Sequence, residues 1–530
     1  MRNDFLTGLK EMNNFTYTEN GAVALKSTNN AVLDAFARLG AMKDSDTADI
    51  ISVFEEALRE NQELAMRLLF YIRDVRGGQG MRRVFRVIIS WLAEENSELV
   101  VKNFDNFLFF GRGDDLLCLI DSNVNDEVMT YIVKTLYEDM ESVKAGNGCS
   151  LLAKWMPSIN TSSVETRILA NKIREFMGIN AKQYRLILRT LRDSINIVES
   201  KMSRNAWEEI DFEKLPAKAS MIYRDAFMKH NYDGYYAYLK DVASGKAKVN
   251  AASLFPVDIV HNILHKTSWT YNGTMADKIM NDAQWNALPN YFGDSEETGI
   301  CVVDVSGSMY GTPMEVAIAL GIYCADKAKG PFKNNFITFE SNPSLVTLDG
   351  CTDITDKVRK TVNAYWDGST NLEAVFDLIL ATAVRNKLNQ EDLPSKLYII
   401  SDMQFNEATR AGSSWSWYSG RMASEADTNT LIKTIESKFN AAGYQMPALV
   451  YWNVRDSHCG MFQDTKNGNC CMVSGYSASL FKAVIEGTEY VEVVNEETGE
   501  TTIQQKLDPI TIMTNTLMNE RYDRVYTGVN

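Results

Sequence analysis

The sequence predicts a protein of the α + α/β class, with a helical N-terminal region followed by an α/β domain. From Asn30 to about residue 240, apolar residues recur at helical spacing and strand-like runs are nearly absent. After Thr298, short apolar runs alternate with helix-length amphipathic segments, which indicates a doubly wound and mostly parallel sheet. A length of 530 residues is sufficient for two or three domains.

An N-terminal arm is predicted for residues 1–29, because these residues are largely polar and show weak periodicity. The helical region is predicted to extend over residues 30–297. A long run of helices without strands favours stacked helical hairpins, as in HEAT-like repeats. One apolar stripe, from Tyr184 to Val198, predicts a helix over 181–198. No repeat of constant period is visible, so the helical spacing alone supports the repeat architecture.

The α/β domain is predicted to occupy residues 298–530. Five segments have the length and apolar character of strands, at residues 300–304, 335–339, 344–348, 396–402 and 448–454. Helices are predicted over 313–329, 371–387 and 427–442. Near the C-terminus, a β-hairpin is predicted around 488–505, followed by a last helix that begins at Asp508 and Pro509.

The composition is that of a water-soluble globular protein, with 45% hydrophobic and 23% charged residues. No apolar run reaches the length of a membrane span, and the first residues lack the basic-then-apolar pattern of a signal peptide. We therefore expect no membrane partner and a cytoplasmic location. The eight cysteines and four histidines are scattered, so reduced thiols and no structural zinc site are expected. The net charge of −15 argues against general coating of nucleic acid, although residues 151–250 carry more basic than acidic side chains.

Five oxygen-bearing side chains in the α/β domain form a candidate site for a divalent cation. In the segment DVSGS, the alternate residues Asp304, Ser306 and Ser308 directly follow an apolar strand and can point toward one centre. Thr370 lies in a loop before a predicted helix, and Asp402 ends another strand, at the edge of the sheet where functional groups converge. Two carboxylates and three hydroxyls form a hard oxygen cluster suited to Mg²⁺ or Mn²⁺. The alternative, that Ser306 and Ser308 only cap the next helix, leaves Asp402 unexplained.

The motifs DVSGSM, GST and SDM resemble the metal-ion-dependent adhesion site (MIDAS) of the von Willebrand factor A family. The resemblance implies a von Willebrand factor A-type α/β domain with the same five ligands, although the threonine stands in DGSTN where the family commonly has GGT. It also implies that an acidic side chain of a protein partner completes the shell of the ion, without catalysis. A metal-dependent hydrolase is the alternative, but no histidine lies near either motif, and Cys301 lies within a predicted buried strand.

The helical region contains a glycine-rich and arginine-rich segment, RDVRGGQGMRRVF (73–85). It lacks the Lys-Ser/Thr ending of a nucleotide-binding phosphate loop, and no strand precedes it. One interpretation is a simple turn between two helices. The other is an anion-binding cluster at a helix start, formed by Arg76, Arg82, Arg83 and Arg86.

A basic stripe is predicted on the helix over 181–198. Arg185, Arg189 and Arg192 are spaced by four and three residues, so they share one flank of the helix, and Lys182 extends the stripe toward the helix start. Such a row suits the phosphates of RNA, although an ordinary solvated helix face is the alternative. In the segment SGKAKVNA, two further lysines lie on a predicted loop, namely Lys246 and Lys248.

The order of these motifs, a helical region with an RGGxG turn followed by a metal-site A domain, resembles the TROVE family of Ro autoantigens. The resemblance is closer to a TROVE-like branch found in plants, bacteria and large viruses, and it spans most of the chain. The stretches that carry it are RDVRGGQGMRRVF, FGRGDDLL, LLAKWMPSIN, KQYRLILRTLRDSINIVESKMSRNAWEEIDFEKLPAKA, YLKDVASGKAKVNAASLFPVDIV, CVVDVSGSM and NERYDRV. It implies a ring of helical repeats in a ribonucleoprotein, with small noncoding or misfolded RNA bound by basic residues. A metal-dependent protein-interaction adaptor without RNA binding is the alternative function.

Overall fold

The computed structural model describes residues 14–17, 23–266, 274–295, 298–364, 371–404, 432, 435–456, 469–494 and 501–529. The chain folds into two compact units, and each unit is assembled from segments that are distant in sequence. The helical unit comprises Asp46–Leu254, Met275–Ala287 and Leu517–Asn530. The α/β unit comprises Met1–Ser45, Phe255–Thr274 and Leu288–Thr516.

The secondary structure follows the division into units. Within the described residues, the first helices and strands are β1 (Phe15–Tyr17), β2 (Val23–Leu25), α1 (Ala31–Arg38), α2 (Thr47–Glu60), α3 (Gln62–Arg73), α4 (Arg82–Glu95), α5 (Ser97–Val101), α6 (Phe104–Phe110) and α7 (Asn125–Lys144). Helices continue with α8 (Leu152–Trp155), α9 (Val164–Phe176), α10 (Ala181–Ser194), α11 (Val198–Ser203), α12 (Ala217–His230), α13 (Tyr232–Ala243), α14 (Pro256–Lys266) and α15 (Met275–Asn286). The remaining elements are β3 (Ile300–Val303), α16 (Thr312–Lys327), β4 (Asn335–Thr338), β5 (Leu345–Thr347), α17 (Ile354–Val362), α18 (Leu372–Asn386), β6 (Lys396–Ser401), β7 (Ala448–Asn453), β8 (Cys470–Ser474), α19 (Ser479–Glu486), β9 (Thr488–Val494), β10 (Thr501–Leu507) and α20 (Pro509–Leu517).

The described part of the α/β unit contains a six-stranded mixed sheet with the strand order β5-β4-β3-β6-β7-β8. β5 is antiparallel to β4, and the other neighbouring strands are parallel. β3, β6 and β7 are buried along their whole length. Their sequences are nearly continuous apolar runs because parallel strands are covered on both faces.

Helices cover both faces of this sheet, because successive side chains of a strand point to opposite sides. On one face, Leu397 and Ile399 pack in a core with Phe376 of α18. On the other face, the ring of Tyr398 lies 5.0 Å from the ring of Phe481 in α19. The α + α/β class predicted from the sequence is therefore confirmed, with parallel strands at the centre of the sheet.

Apolar side chains join described helices of the helical unit in at least two places. In the first, the ring of Phe85 in α4 lies 5.6 Å from that of Phe70 in α3 and 5.3 Å from that of Phe107 in α6. In the second, Phe227 and Tyr235 join α12 to α13 in a core that also includes residues of α15. None of the helices in the described residues is both long and apolar enough to span a bilayer.

One helix of this unit is shorter than the sequence predicts. α10 ends at Ser194 and not at residue 198, because Asn196 adopts a left-handed conformation with φ of 55°. Asparagine tolerates this conformation better than most residues and so often ends a helix. Val198 begins α11 and does not continue the apolar stripe of α10.

Several elements of the α/β unit differ from the prediction. The sequence does not predict β8, α17 or α19, and the polar Ser474 and the paired cysteines of β8 obscure its strand pattern. The hairpin predicted around 488–505 is present as the antiparallel pair β9 and β10. Of the helix predicted over 427–442, residues 427–431, 433 and 434 lie outside the described residues, and residues 435–441 are helical.

The N-terminal segment packs in the α/β unit. β1 and β2 form an antiparallel pair within the segment predicted as an arm. α1, which the sequence assigns to the helical region, packs on β8, where the Ser474 hydroxyl donates to the carbonyl of Phe36 (3.0 Å) and accepts from the N–H of Gly40 (3.1 Å). A Cβ at Gly40 would lie 2.3 Å from the Ser474 carbonyl oxygen, so only glycine fits there. The boundaries predicted at residues 30 and 298 therefore do not coincide with the two compact units.

Candidate functional site

Asp304 and Asp402 lie at the same edge of the central sheet. Each follows the carboxyl end of its strand, β3 and β6, and these strands are parallel neighbours in which Val303 pairs with Ile400. The ladder continues one residue further, because the N–H of Asp304 donates to the carbonyl of Ile400 (3.1 Å). Both carboxylates are buried, with 0% of Asp304 and 1% of Asp402 exposed.

Hydrogen bonds fix the Asp304 carboxylate from two sides. One oxygen accepts from the backbone N–H of Ser306 (2.8 Å), and the other accepts from the hydroxyl of Ser401 (2.6 Å). The hydroxyls of Ser306 and Ser308 are 3.1 Å apart. Three of the predicted oxygen ligands thus converge in one turn, as the alternate spacing of the motif predicts.

The two serines do not act as helix caps. α16 begins after Gly311, which has no side chain to cap it, and the short 3₁₀ turn Gly307–Met309 has no side-chain cap bond from Ser306. The hydroxyls are therefore directed to each other in the turn and not to the orphan N–H groups of the next helix. This observation disfavours the capping interpretation.

The chain turns sharply after Asp402. Met403 has a φ of 63°, which is uncommon for a residue other than glycine, and the N–H of Gln404 donates to the Asp402 carboxylate (3.3 Å). Thr370, the remaining predicted ligand, lies outside the described residues. Tyr310, directly after the DVSGSM motif, is 86% exposed.

The electrostatics of the turn favour a bound cation. Burial, followed by the nearby Asp402 carboxylate, raises the pKa of Asp304 to about 6. Two buried like charges raise the free energy of the doubly ionised form, and a divalent cation between them would lower it. The guanidinium of Arg455 donates to the backbone carbonyl of Ser308, so it steadies the loop itself. The donor set and its charge therefore fit a hard divalent ion.

Two arginines at the start of α4, Arg82 and Arg86, lie close to carboxylates of the same unit. Arg86 donates to Asp115 (2.7 Å) and lies 3.2 Å from Asp114. Arg82 lies 3.9 Å from Asp114, in the motif FGRGDDLL. Two of the four arginines of the predicted anion-binding cluster, Arg82 and Arg86, are therefore close to acids of the same unit, which the sequence interpretation did not predict.

Three of the four arginines, Arg76, Arg82 and Arg83, are exposed. The guanidinium of Arg76 donates to the carbonyl of Phe109 (3.2 Å), and Arg83 lies on the exposed face of α4. The segment itself is a turn between α3 and α4, and a Cβ at Gly78 would lie 1.9 Å from the Tyr71 carbonyl oxygen. The glycines thus permit close backbone packing, in agreement with the interpretation as a helix-to-helix turn.

The basic stripe of α10 is split between solvent and interior. Lys182, Arg185 and Arg189 are exposed, and the Arg185 guanidinium has a long contact of 3.4 Å with the Asn160 side chain. Arg192 differs, because its guanidinium donates to the carbonyls of Ala153 (2.9 Å) and Met156 (2.7 Å) and to a serine hydroxyl. Arg192 therefore supports the fold. The exposed stripe consists of Lys182, Arg185 and Arg189. Lys246 and Lys248 are exposed after α13, as the predicted loop requires.

A further cluster of potential metal ligands was not predicted from the sequence. His261, His265 and Glu315 lie together in the α/β unit, with their ligand atoms within 4.8 Å of one another. The four-residue spacing in HNILH places both histidines on one helix face and is the signal that could have indicated them. The glutamate comes from another helix and has no such signal.

Comparison with known proteins relates most of the chain to a viral protein. The chain is 32% identical over 517 residues to "Uncharacterized protein L728" of Acanthamoeba polyphaga mimivirus, an alignment that covers 90% of this chain and 86% of the relative. The chain belongs to the family of this viral protein. Two family models match this chain. A domain of unknown function (DUF2828) matches residues 18–110 and 170–295, and another domain of unknown function (DUF7788) matches residues 298–517. The second match contains both buried carboxylates, and the first contains the exposed stripe of α10.

Proposed function

We propose that the α/β unit is a von Willebrand factor A-type adhesion domain that captures an acidic side chain of a partner protein through Mg²⁺ or Mn²⁺. Asp304, Ser306, Ser308 and Asp402 would hold the ion, together with Thr370 as the fifth ligand that the sequence predicts. One observation carries the proposal: two buried carboxylates meet at the ends of neighbouring parallel strands, beside two hydroxyls that contact each other.

The side chains are arranged for a metal that binds an outside ligand. Mg²⁺ and Mn²⁺ prefer oxygen ligands and keep several water molecules, one of which a partner carboxylate can replace. The Ser401 hydroxyl and the Ser306 N–H hold the Asp304 carboxylate in place before an ion arrives. Such preorganisation reduces the conformational entropy that binding removes.

A binding role is favoured over hydrolysis by the surroundings of the site. The hydroxyls of Ser306 and Ser308 contact each other, as two ligands of one ion do. The two histidines of α14 contact Glu315, and neither has a hydrogen bond to the hydroxyl of Ser306 or Ser308. The proposed role is therefore non-catalytic.

Electron paramagnetic resonance with Mn²⁺ tests this function on the full-length protein, because the signal of free Mn²⁺ weakens when the ion binds. The wild-type protein is expected to bind one Mn²⁺ that Mg²⁺ displaces. Asp304→Asn and Asp402→Asn should each abolish that binding. Asp294→Asn is the matched control, since Asp294 lies in the same unit and pairs only at the surface with Lys329.

Two results would exclude the adhesion site. One is wild-type protein that binds no Mn²⁺ under conditions in which it is folded. The other is binding that survives both Asp304→Asn and Asp402→Asn, since the ion would then be held elsewhere. Circular dichroism of each variant separates loss of the site from loss of the fold.

RNA binding by the helical unit is a second candidate function, in line with the resemblance to Ro proteins and their rings of helical repeats. The observation that favours it is the stripe of Lys182, Arg185 and Arg189, all exposed on α10. Leu186, on the same helix, is 60% exposed and offers an apolar contact beside the charges. Arginine and lysine contacts to phosphate would dominate the affinity and make it depend on salt.

Filter binding of a structured RNA at two salt concentrations tests this second function. Replacement of Lys182, Arg185 and Arg189 by glutamate should weaken retention, and the salt dependence of the binding constant should become less steep by roughly two to three phosphate contacts. A control with equal charge change replaces Lys134, Lys144 and Lys214, which are exposed in the same unit. RNA binding at the stripe is excluded if wild-type protein retains no RNA at low salt, or if both variants bind equally.

A further inference from the structure

A trio of side chains with metal-binding chemistry lies at the contact between α14 and α16. These two helices pack on each other within the α/β unit. His261 and His265 are one helical turn apart on the exposed face of α14, and their rings are 4.2 Å apart. Glu315, in the first turn of α16, reaches both of them and is mostly buried.

The carboxylate of Glu315 bridges the two imidazoles. Its Oε2 atom lies 2.7 Å from Nδ1 of His261, and its Oε1 atom lies 2.7 Å from Nε2 of His265. The potential ligand atoms of the three residues all lie within 4.8 Å of one another. In a tetrahedral zinc site with bonds of about 2.0–2.1 Å, ligand atoms are about 3.3 Å apart. The side chains of His261 and His265 are exposed and can rotate toward that spacing, around the mostly buried Glu315.

We propose that His261, His265 and Glu315 form a second metal site, for a borderline transition-metal ion such as Zn²⁺, with one coordination position open to solvent. Two imidazole nitrogens and one carboxylate oxygen are ligands that Zn²⁺ binds readily, whereas Mg²⁺ prefers oxygen ligands alone. The site is separate in residues and in metal preference from the carboxylate pair Asp304 and Asp402. It does not depend on the adhesion function.

The open position does not make this site a metalloprotease centre. In the HExxH motif of those enzymes, a glutamate that follows the first histidine acts as the general base. Here the residue after His261 is Asn262, which is buried and has an amide in place of the carboxylate that would act as the base. The ion is therefore expected to join α14 to α16 and to accept a ligand from solvent or from another protein.

Zinc binding would act on the start of α16. Glu315 lies in the first turn of this helix, which begins four residues after Ser308. An ion that joins Glu315 to α14 fixes this turn more firmly and stabilises the folded state, because a metal that binds only the folded form shifts the unfolding equilibrium.

Cobalt substitution tests the site on the full-length protein. One equivalent of Co²⁺ should give the visible absorption of a four-coordinate ion, and Zn²⁺ should displace it whereas excess Mg²⁺ should not. His265→Gln and Glu315→Gln are expected to lose this absorption and the rise in unfolding temperature that Zn²⁺ causes in the wild type. Glu391→Gln, an exposed glutamate of the same unit, is the control that keeps both.

Three results would overturn the site. These are the absence of cobalt absorption in the wild type, its persistence in both His265→Gln and Glu315→Gln, and a thiolate-to-cobalt band that places the ion on cysteines. Unfolding temperatures measured without metal show whether the variants fold. Asp304→Asn should leave the cobalt signal unchanged, so failure of the adhesion site and failure of this site are distinguishable.

Discussion

Two arginines of α10, three residues apart, have different roles. Arg189 extends into solvent, with 72% of its side chain exposed and Asp193 3.7 Å away. Arg192 turns inward and satisfies the carbonyls of Ala153 and Met156. Burial lowers the pKa of Arg192, and the nearby Tyr184 is the next largest influence, which raises it. At the scale of single residues, helical spacing therefore describes a flank but not what each side chain contacts.

Replacing Arg192 with alanine should destabilise the helical unit. The carbonyls that lose their donor would be left without a partner in a partly buried place, at a cost of about 1–3 kcal/mol in the free energy of unfolding. Arg189→Ala should change that free energy by less than about 0.5 kcal/mol, because surface substitutions away from such contacts are usually that small. Chemical denaturation followed by circular dichroism compares the two variants. Equal stabilities would mean that Arg192 has no structural role.

The same comparison explains why some site residues could be predicted and others could not. Asp304 and Asp402 each follow an apolar strand directly, so the local pattern was sufficient to place them at one sheet edge. The partners of Arg192 lie 36 and 39 residues away in the chain, and no local pattern records them. Glu315 likewise meets the histidines of α14 only through the packing of two helices.

At the scale of elements, the FGRGDDLL segment is a buried ionic junction between helices. Asp115 has no exposed surface, and it accepts from Arg73 of α3 and from Arg86 of α4, each at 2.7 Å. Burial lowers the pKa of Arg73, although the adjacent Asp115 raises it. Gly111 has no room for a side chain here, because a Cβ would lie 2.6 Å from an Asp115 oxygen.

Asp115→Asn should strongly destabilise the helical unit. The charge of Arg73 would remain buried without the carboxylate that it contacts, and breaking a buried pair in this way typically costs about 3–5 kcal/mol. The midpoint of thermal unfolding measures the effect. Asp121→Asn, in which the exposed pair with Lys172 is lost, should leave the midpoint nearly unchanged.

A double variant separates the ionic effect from simple loss of shape. Arg73→Met combined with Asp115→Leu removes both charges of this buried pair while keeping similar volume, and such replacements are often neutral or stabilising. Arg86 would keep Asp114 as its partner, at 3.2 Å. The double variant should therefore be more stable than Asp115→Asn alone. If it is less stable, the hydrogen bonds of the junction matter more than the compensation of charge.

Some helices and strands could be predicted from the sequence, and others could not. Long helical segments such as α16 and α18 were predicted within one or two residues, over 313–329 and 371–387, because their apolar spacing extends over several turns. β8 was missed because five residues with two cysteines carry too little pattern. The early end of α10 depends on one backbone conformation, at Asn196, that hydrophobic spacing cannot show.

At the scale of the whole molecule, each end of the chain belongs to a different unit from the long segment next to it in sequence. The N-terminal α1 joins the α/β unit, where Arg38 pairs with Asp456 (3.2 Å). The C-terminal segment after α20 joins the helical unit, where the side chain of Asn103 donates to the carbonyl of Tyr526 (2.8 Å). Periodicity describes neighbouring residues, so it could not predict that the chain returns in this way.

The C-terminal motif NERYDRV should therefore control the stability of helices that lie more than 400 residues earlier in the chain. Arg521 donates to the carboxylate of Asp74 (2.8 Å), a residue with no exposed surface, and the hydroxyl of Tyr522 donates to the same group (3.2 Å). Arg521→Ala leaves this buried charge with fewer partners, and we expect a loss of about 1–3 kcal/mol in the helical unit.

Hydrogen exchange locates this effect, since local loss of stability speeds exchange only in the segments that open. In Arg521→Ala, exchange should become faster in α3 and α6, which flank Asp74, while the strands β3 and β6 should exchange at the wild-type rate. Arg59→Ala removes an arginine that is 72% exposed in the same unit and should alter neither region. Faster exchange in the strands alone would show that the C-terminal segment stabilises the sheet. In that case, Arg521 would not be the link between the chain end and the helical unit.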